Sequence, residues 1–312
     1  MPILSVHQLA KSFRKGKIPA VRGVDFEVEK GEIYGIIGPD GAGKTTLFRM
    51  LASLLLPDAG KAMVCGHDVV KHSHEVHQLM GYMPGRFALY ADLSVEENLQ
   101  FFAALYHTSI EKNYAWIADI YRQISPFKDR RAGKLSGGMK QKLALCCSLI
   151  HAPQILLLDE PTTGVDPVSR KEFWETLRRL KEEGLTVLVS TPYMDEALLC
   201  DRIALMQEGR FLQVDTPQHI IDSYEGNLWA VRTGNMHRLL NDLRTWPGVR
   251  SAFSFGENVH VGVEQGVCID HLQHYLENLG HSEVAIRPIS PTIEDCFMKL
   301  MQQNEGICNH SR

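Results

Sequence analysis

The stretch Gly38-Pro39-Asp40-Gly41-Ala42-Gly43-Lys44-Thr45-Thr46 decides the fold of this chain. It fits the pattern G-x-x-x-x-G-K-[ST], and it lies between an apolar segment typical of a buried strand, Ile33–Ile37, and one typical of a helix, Leu47–Leu55. A phosphate-binding loop requires this strand, loop and helix order, whereas an ordinary Gly-rich turn does not. Backbone N–H groups of such a loop surround phosphate, and the helix N-terminus adds positive potential. We therefore expect a bound nucleoside triphosphate, with Lys44 on the outer phosphates and the Thr45 hydroxyl on Mg²⁺.

A second motif is an apolar run that ends in two carboxylates, Ile155–Leu158 followed by Asp159 and Glu160. Such a run is typical of a parallel strand buried on both faces. Ligands of open α/β sheets lie at the carboxyl ends of the strands, which places Asp159 near the Mg²⁺ ion. Glu160 is then in position to orient or deprotonate a water that attacks the outer phosphate. Strands also end in acidic residues without a catalytic role, but the pairing with a phosphate loop favours catalysis.

A third motif is the run Leu135-Ser136-Gly137-Gly138-Met139, which precedes the apolar helical segment Lys142–Ile150. Small residues at a helix start again form an anion-binding end. One nucleotide needs only one phosphate loop, so a second such end in the same chain is surplus. We expect it to contact a nucleotide held by another subunit.

The order of these motifs, with Asp159-Glu160-Pro161-Thr162-Thr163-Gly164-Val165-Asp166, resembles the ATP-binding cassette family over roughly residues 1–222. The resemblance implies an α/β P-loop NTPase domain with a mainly helical lobe at about 88–150. In that family two cassettes pack head to tail, and each ATP lies between the phosphate loop of one and the signature loop of the other. The signature loop of this chain is Leu135–Met139.

The resemblance also assigns roles to single residues. Three residues of the signature loop would contact the γ-phosphate of the partner's ATP, namely Ser136, Gly137 and Gly138. Asp166 would lie on the seam between the cassettes. Phe13 matches the aromatic residue that stacks on adenine, with a plain strand aromatic as the alternative.

Two residues that the family usually has are missing. Gly85 stands where a Gln normally approaches Mg²⁺ and the attacking water, and Pro192 stands where a His normally contacts the γ-phosphate. Neither side chain offers a donor or a titratable group, and losing one transition-state contact typically costs on the order of 100- to 1000-fold in rate. Nearby groups that can substitute in part are Tyr193, Thr191 and Arg86. A heterodimer would pair this slow site with a fully equipped one, whereas a homodimer would carry the deficit twice, and the sequence does not choose.

Composition agrees with a soluble protein of two domains. The length of 312 residues predicts about two domains, and a net charge of -4 without a strong basic block argues against nucleic acid as a partner. Seven Cys without a C-x-x-C pair indicate a reducing cytoplasm, and the first residues lack the features of a signal peptide. No apolar run reaches the roughly 18 residues that a membrane span needs, so the membrane part of a transporter is expected to be another chain.

Capping signals organise the helical parts of the first domain. Ser94–Glu97 is a capping box that opens a helix over Asn98–Tyr106. Asp166-Pro167 begins another helix, which runs through Glu182 and stops at Gly184. Before the capping box lie three apolar residues that form either a socket for a helix of a membrane protein or core of the lobe: Phe87, Leu89 and Tyr90.

The pattern changes after Pro217, and residues 223–302 predict a separate small domain. A strand at Asn227–Thr233, a hairpin turning at Gly256-Glu257, a last strand at Glu283–Ile289 and two helices of apolar spacing give the order β-α-β-β-α-β, which is ferredoxin-like. This part resembles the C-terminal domain of exporter-type cassettes of the drug, lipid and polysaccharide branch, which implies a regulatory or dimer-stabilising role. A sensor of a small ligand and a plain packing module are the alternatives. Residues 303–312 are polar and expected to be disordered.

These observations predict the ATP-binding and ATP-hydrolysing subunit of a membrane export complex, attached to the cytoplasmic face of the cell membrane through a separate permease. Two alternatives stay open. The first is a degenerate or regulatory cassette with little hydrolysis of its own, and the second is a cassette ATPase that does not act in transport.

Overall fold

The computed structural model describes residues 2–14, 16–86, 89–264 and 266–309, the last six as backbone only. The chain divides into two compact units, Met1–Pro217 and Gln218–Arg312. Among the described residues no helix combines the length and the hydrophobicity that crossing a bilayer requires.

Among the described residues the first unit has ten strands and six α-helices, and a seventh helix begins at its last residue. The strands are β1 Leu4–Phe13, β2 Ile18–Val28, β3 Ile33–Ile37, β4 Ala59–Val64, β5 His67–Asp68, β6 Met80–Met83, β7 Ile155–Asp159, β8 Thr186–Thr191, β9 Arg202–Gln207 and β10 Arg210–Asp215. The helices are α1 Lys44–Leu51, α2 Ser73–Leu79, α3 Val95–Leu105, α4 Tyr114–Ile124, α5 Gly137–Leu149, α6 Pro167–Glu182 and α7 Pro217–Asp222.

A six-stranded sheet positions the site. Its order is β10-β9-β3-β8-β7-β6, and all neighbours are parallel except the edge strand β10. Every residue of β3, β7 and β8 is buried, as expected for parallel strands covered on both faces. Because parallel strands end at the same edge of a sheet, the residues that follow β3, β7 and β8 lie side by side.

A second sheet, of order β2-β1-β4-β5, is antiparallel. One hydrophobic cluster joins residues of both sheets with the apolar face of α1, which contributes Leu47, Phe48, Met50 and Leu51. This shared core fixes the helix that follows the phosphate loop against the strand that precedes it.

The helical lobe begins at the predicted capping box. The Ser94 hydroxyl accepts from the backbone N–H of Glu97 at 3.1 Å, and the Glu97 carboxylate accepts from the N–H of Ser94 at 2.7 Å, which confirms the prediction. Helices α4 and α5 pack on each other behind it. Of the three apolar residues expected before the box, Tyr90 is exposed and Leu89 is half-buried, so neither belongs to the core of the lobe. Phe87 lies outside the described residues.

Three helices begin earlier than predicted. Helix α1 starts at Lys44 rather than Leu47, α3 at Val95 rather than Asn98, and α5 at Gly137 rather than Lys142. Apolar periodicity reveals only the buried turns of a helix, whereas the first turns of α1 and α5 carry polar and small residues. Helix α6 has the predicted bounds, with Asp166 as its N-cap and Gly184 at φ 93° after its end.

The second unit is a four-stranded antiparallel sheet with helices. Its elements are β11 Asn227–Arg232, α8 Met236–Thr245, β12 Val249–Phe255, β13 Asn258–Val263, α9 Ile269–Asn278, β14 Ala285–Ile289 and α10 Ile293–Asn309. The strand order β12-β13-β11-β14 is that of a ferredoxin-like sheet. The core lies between the sheet and two helices, with Leu239 and Leu243 of α8 and Leu272 and Leu276 of α9 fully buried.

Two predicted boundaries in this unit need correction. The unit begins at Gln218 instead of 223, because the fully buried Ile220 of α7 packs within it and its carbonyl accepts from the Cys296 thiol at 3.4 Å. The disorder expected from residue 303 is wrong for 303–309, which continue α10 as a helix. Thr292 and Asp295 cap the start of this helix reciprocally, and extending a formed helix is far easier than starting one. Residues 310–312 lie outside the described residues.

Candidate nucleotide-binding site

The phosphate loop approaches neighbouring backbone so closely that glycine is required at two positions. A Cβ built on Gly38 would lie 2.1 Å from the carbonyl oxygen of Met206, and one on Gly43 would lie 2.2 Å from that of Ala20. Gly43 also has φ 108°, in the left-handed region that disfavours other residues. The loop is thus fixed between β9 and β2, and it enters α1 directly, with its N–H groups at the start of a helix.

Lys44 is the buried cation of the site, with 3% of its surface exposed. Its Nζ donates to the carbonyl oxygens of Gly38 at 2.7 Å and Pro39 at 3.0 Å, and lies 3.1 Å from Glu160 Oε1. The ammonium group is therefore folded back over the loop and paired with the carboxylate that follows β7. An anion bound in the loop would compete with Glu160 for the same charge.

Asp159 ends β7 in a polar pocket. Its Oδ1 accepts from the Ser190 hydroxyl at 2.8 Å and from the Thr45 hydroxyl at 3.2 Å. Burial raises the pKa of Asp159 above its ordinary value, and the two hydroxyl hydrogen bonds oppose that rise. The structure thus brings together the two residues that the sequence predicts as Mg²⁺ ligands.

Glu160 leaves the strand in the left-handed conformation, with φ 51°. Its N–H donates to the carbonyl oxygen of Ser190 at 3.1 Å and to the Ser190 hydroxyl at 3.0 Å, which holds this turn in place. Non-glycine residues adopt such a conformation at a cost of about 1 kcal/mol or more, and they concentrate at functional sites. The turn directs the carboxylate toward Lys44 instead of along the strand.

Gly85 leaves no room for a side chain in the observed backbone. A Cβ there would lie 2.8 Å from the carbonyl oxygen of Asp159 and 3.7 Å from the Cβ of Glu160. The position at which the resemblance expects a Gln is therefore next to both acidic residues, as the family pattern requires, but the backbone itself occupies the space.

The segment after β8 uses its polar groups elsewhere. The Thr191 hydroxyl donates to Glu196 at 2.5 Å, and the ring of Tyr193 lies 4.2 Å beneath the guanidinium of Arg170. Pro192 lies between them and is half-buried. Arg86, the third predicted substitute, is exposed beside Gly85.

The signature loop is accessible at the start of α5. Ser136 is the N-cap of α5, where its hydroxyl accepts from the N–H of Met139 at 3.4 Å, and both Ser136 and Gly137 are exposed. Gly138 packs against α6, since a Cβ there would lie 2.7 Å from the hydroxyl oxygen of Ser169. Asp166, three residues before Ser169, is exposed and caps α6. Signature loop and Asp166 therefore share one accessible face.

Phe13 ends β1 with 41% of its surface exposed, and it pairs with Ile18, which is 45% exposed. The ring of Phe13 is therefore accessible to a ligand at the end of β1. Asp40 and Gly41 are exposed at the tip of the phosphate loop, whereas Ala42 is buried beneath it.

A cavity of about 470 Å³ lies beside the site. Part of its wall is apolar, from Leu54, Phe102 and Tyr106, and part is formed by Gly85 and Glu160. The cavity thus reaches from the helical lobe to the carboxylate that follows β7.

Sequence reasoning missed two residues of the site. Ser190 holds both Asp159 and the N–H of Glu160, and its place at the end of the neighbouring strand β8 was a usable signal. Gln141, whose amide Nε2 donates to the carbonyl oxygen of Pro161, carries no local signal because its partner is 20 residues away.

Fold and site together define a P-loop nucleotide-binding protein of the α/β class. A family model described as "ABC transporter" matches residues 21–163. The chain is 40% identical over 304 residues to the probable multidrug ABC transporter ATP-binding protein YbhF of Escherichia coli, covering 96% of this chain and 52% of that protein. It is 35% identical over 296 residues to the Nod factor export ATP-binding protein I of Rhizobium sp., covering 93% and 94%.

The chain therefore belongs to the ABC transporter ATP-binding family, which confirms the predicted resemblance and fold class. The solved structure of cbiO1 from Clostridium perfringens, described as part of an ABC transporter complex, matches with a TM-score of 0.63 at 26% identity, over 71% of this chain and 91% of that one. This chain spans about half the length of YbhF.

Proposed function

We propose that this chain is the ATP-binding and ATP-hydrolysing subunit of an ABC export complex, located at the cytoplasmic face of the membrane through a separate permease. The observation that carries the proposal is the convergence of Lys44, Asp159 and Glu160 at the edge of the central sheet. Membership of the family and the names of two relatives, one a multidrug ABC transporter ATP-binding protein and one a Nod factor export ATP-binding protein, support the same conclusion.

The residues present fit ATP and Mg²⁺. The glycines let the loop's N–H groups surround phosphate oxygens, and Lys44 supplies a desolvated positive charge. Two oxygen ligands suited to Mg²⁺, the Thr45 hydroxyl and the Asp159 carboxylate, lie 3.2 Å apart. A bound Mg²⁺ would neutralise charge on the phosphates.

Glu160 is the proposed general base. Once phosphate takes over Lys44, the carboxylate is free to accept a proton from a water beside the outer phosphate. The left-handed turn and the two contacts to Ser190 keep the carboxylate at the edge of the sheet. Lys44 stabilises charge on the phosphates as the bond to the leaving group breaks.

A second cassette would complete the site. Ser136, Gly137 and Gly138 begin a helix on an exposed face, where they are available to a nucleotide in another subunit. Asp166 lies on the same face. Either a second copy or a different cassette satisfies this arrangement.

The permease is proposed to bind beside the cavity. Tyr90 and Phe101 are exposed and in edge-to-face contact at 4.7 Å, and Leu105, one turn after Phe101, is 56% exposed. Exposed apolar side chains grouped in this way are typical of protein interaction sites.

A degenerate cassette with little turnover is the second candidate. The crowding at Gly85 favours this candidate. The family's usual Gln is missing there, and the Asp159 carbonyl oxygen leaves no space for a side chain at that position. In both candidates the chain binds ATP, and they differ only in the rate of hydrolysis.

Isothermal titration with ATP tests the nucleotide site. We expect wild type to bind ATP tightly only with Mg²⁺, and Asp159→Asn to lose most of the gain that Mg²⁺ provides. Glu75→Gln, on the exposed face of α2, is the matched control and should behave as wild type. Affinity that depends neither on Mg²⁺ nor on Asp159 would contradict the proposal.

Membrane fractionation of the full chain in its own host tests the permease contact. Wild type should sediment with membranes, and Phe101→Glu should release it. Val70→Glu introduces the same charge at another exposed apolar residue and should stay bound. Equal release of both variants from the membrane fraction, or wild type in the soluble fraction, would argue against this surface as the permease contact.

A further inference from the structure

A buried carboxylate outside the nucleotide site has an unusual set of partners. Glu196, in the 3₁₀ turn Met194–Leu199 after β8, is 1% exposed. Its Oε2 accepts from the Thr191 hydroxyl at 2.5 Å and from the Thr162 hydroxyl at 3.1 Å, while its Oε1 accepts from Arg170 Nε at 3.1 Å. A buried carboxylate needs such partners, because an unpaired charge without water is strongly unfavourable.

Arg170 completes this network. Besides Glu196 it pairs with Asp195 at 3.2 Å, and its guanidinium stacks over the ring of Tyr193 at 4.2 Å. The planar guanidinium thus holds three residues of the segment after β8 at once. Pro192 contributes no polar side chain to that segment, and the contacts of Arg170 hold the residues that follow it.

The network joins parts of the chain that are far apart in sequence. Thr191 is tied to the phosphate loop, since its carbonyl oxygen accepts from the N–H of Gly38 at 3.2 Å. Thr162 is two residues after Glu160 in the Pro161–Asp166 segment. Arg170 lies one turn after Asp166, and its N–H donates to the carbonyl oxygen of Asp166 at 2.9 Å.

We propose that Glu196 is a positioning residue that couples this chain's own ATP site to the face carrying Asp166 and the signature loop. A shift of the phosphate loop is transmitted through Thr191 to the Glu196 carboxylate, and from there to Thr162 and Arg170. Ser169, which precedes Arg170, lies so near Gly138 that a Cβ there would be 2.7 Å from its hydroxyl oxygen, so the signature loop lies at the end of the same path. The inference rests on the proposed ATP-binding function.

Hydrogen–deuterium exchange of the purified full chain tests this coupling, with and without saturating Mg-ATP and at a concentration where the chain is monomeric. The peptide covering 38–46 reports ATP binding, and the peptide covering 162–170 reports the remote response. In wild type we expect ATP to slow exchange in both peptides, by about 10-fold in the second, which is the size of effect that one or two hydrogen bonds provide.

Thr162→Val cuts one bond to Glu196 and keeps the shape of the side chain. We expect it to bind ATP within about 2-fold of wild type and to protect 38–46, but to lose protection of 162–170, since contacting residues in one network are energetically coupled. Thr176→Val is the matched control, because Thr176 is a buried threonine of α6 whose hydroxyl donates within the helix, to the carbonyl oxygen of Glu172 at 2.8 Å.

A second pair of variants distinguishes loss of coupling from a folding defect. Glu196→Gln neutralises the carboxylate, and Glu182→Gln makes the same change at an exposed position. The first should lose protection of 162–170 while thermal unfolding confirms a folded chain, and the second should not. Protection of 162–170 in wild type and in all four variants would overturn the coupling, as would protection of 38–46 alone in wild type. No protection at 38–46 in wild type would instead defeat the ATP-binding proposal.

Discussion

The two halves of the proposed nucleotide site differ in how fully this chain equips them. The binding half, residues Gly38–Thr46 with Asp159, has the glycines, the buried cation and the paired oxygens that ATP with Mg²⁺ needs. The hydrolysis half, residues Gly85, Glu160 and Pro192, keeps only the carboxylate. Binding and turnover are therefore separable properties of this chain, and each can be changed without the other.

The largest expected effect concerns the binding half. Lys44→Ala removes the buried positive charge, and we expect ATP affinity to fall by about 100-fold or more, because charge-assisted contacts to phosphate are the strong ones. Titration calorimetry with Mg-ATP measures this, with the exposed Lys61→Ala as the control. Equal affinities for both variants would mean that the loop holds ATP without Lys44.

Acidification should destabilise the folded chain through His151, which contacts the strand β6. His151 follows α5, its ring stacks on Tyr106 at 3.8 Å, and its Nε2 contacts the carbonyl oxygen of Met80, at the start of the strand that leads to Gly85. Burial lowers the pKa of His151 from 6.5 to about 4. The unfolded chain therefore binds a proton more readily than the folded chain between these values, and stability falls as the pH drops through that window.

Chemical denaturation at a series of pH values measures this effect. Between pH 7 and pH 5 we expect a loss of about 2 kcal/mol that disappears in His151→Gln. His74→Gln, an exposed histidine of α2, should keep the wild-type slope. The same slope in wild type and His151→Gln would show that other groups cause the pH dependence.

A hydrogen-bond donor introduced at position 192 should raise the rate of ATP hydrolysis. Pro192→His places an imidazole at a half-buried position, and we expect turnover to rise by about 10-fold, a part of what one transition-state contact provides. Pro192→Ala removes proline without adding an imidazole, and its turnover should not rise. Steady-state phosphate release measures turnover, and equal rates for Pro192→His and Pro192→Ala would refute the prediction.

The smallest effect is expected from the other missing residue. Gly85→Gln should not raise turnover, and should lower it a few-fold, because its Cβ would lie 2.8 Å from the Asp159 carbonyl oxygen and would displace the turn at Glu160. Gly85→Ala carries the same Cβ and should show the same loss. A rise in turnover for Gly85→Gln alone would mean that the backbone yields and that the amide is usable.

Local signals predicted the elements on which the site is built. The glycine pattern located the phosphate loop, the apolar run located β7 with its two acidic residues, and capping residues located the starts of α3 and α6. Each of these features lies within a few residues of the chain, where backbone propensity and spacing act directly.

The contacts between elements were not predictable in the same way. The ion pair of Lys44 with Glu160 spans 116 residues, the bond of Thr162 to Glu196 spans 34, and the crowding at Gly85 depends on a carbonyl of another strand. The sequence around these residues does not predict which residues they contact. Missing family residues were visible from the sequence, but only the packing explains why one of them has no space.

The most direct test of the account is steady-state ATPase activity of the purified chain with Mg²⁺, beside Glu160→Gln. We expect a low but measurable rate in wild type that falls by at least about 100-fold in the variant, with ATP affinity kept or increased because Lys44 is released from its ion pair. Equal rates in both proteins would contradict the assignment of Glu160 as the catalytic base. Failure of wild type to bind ATP would contradict the central claim that this chain is an ATP-binding cassette.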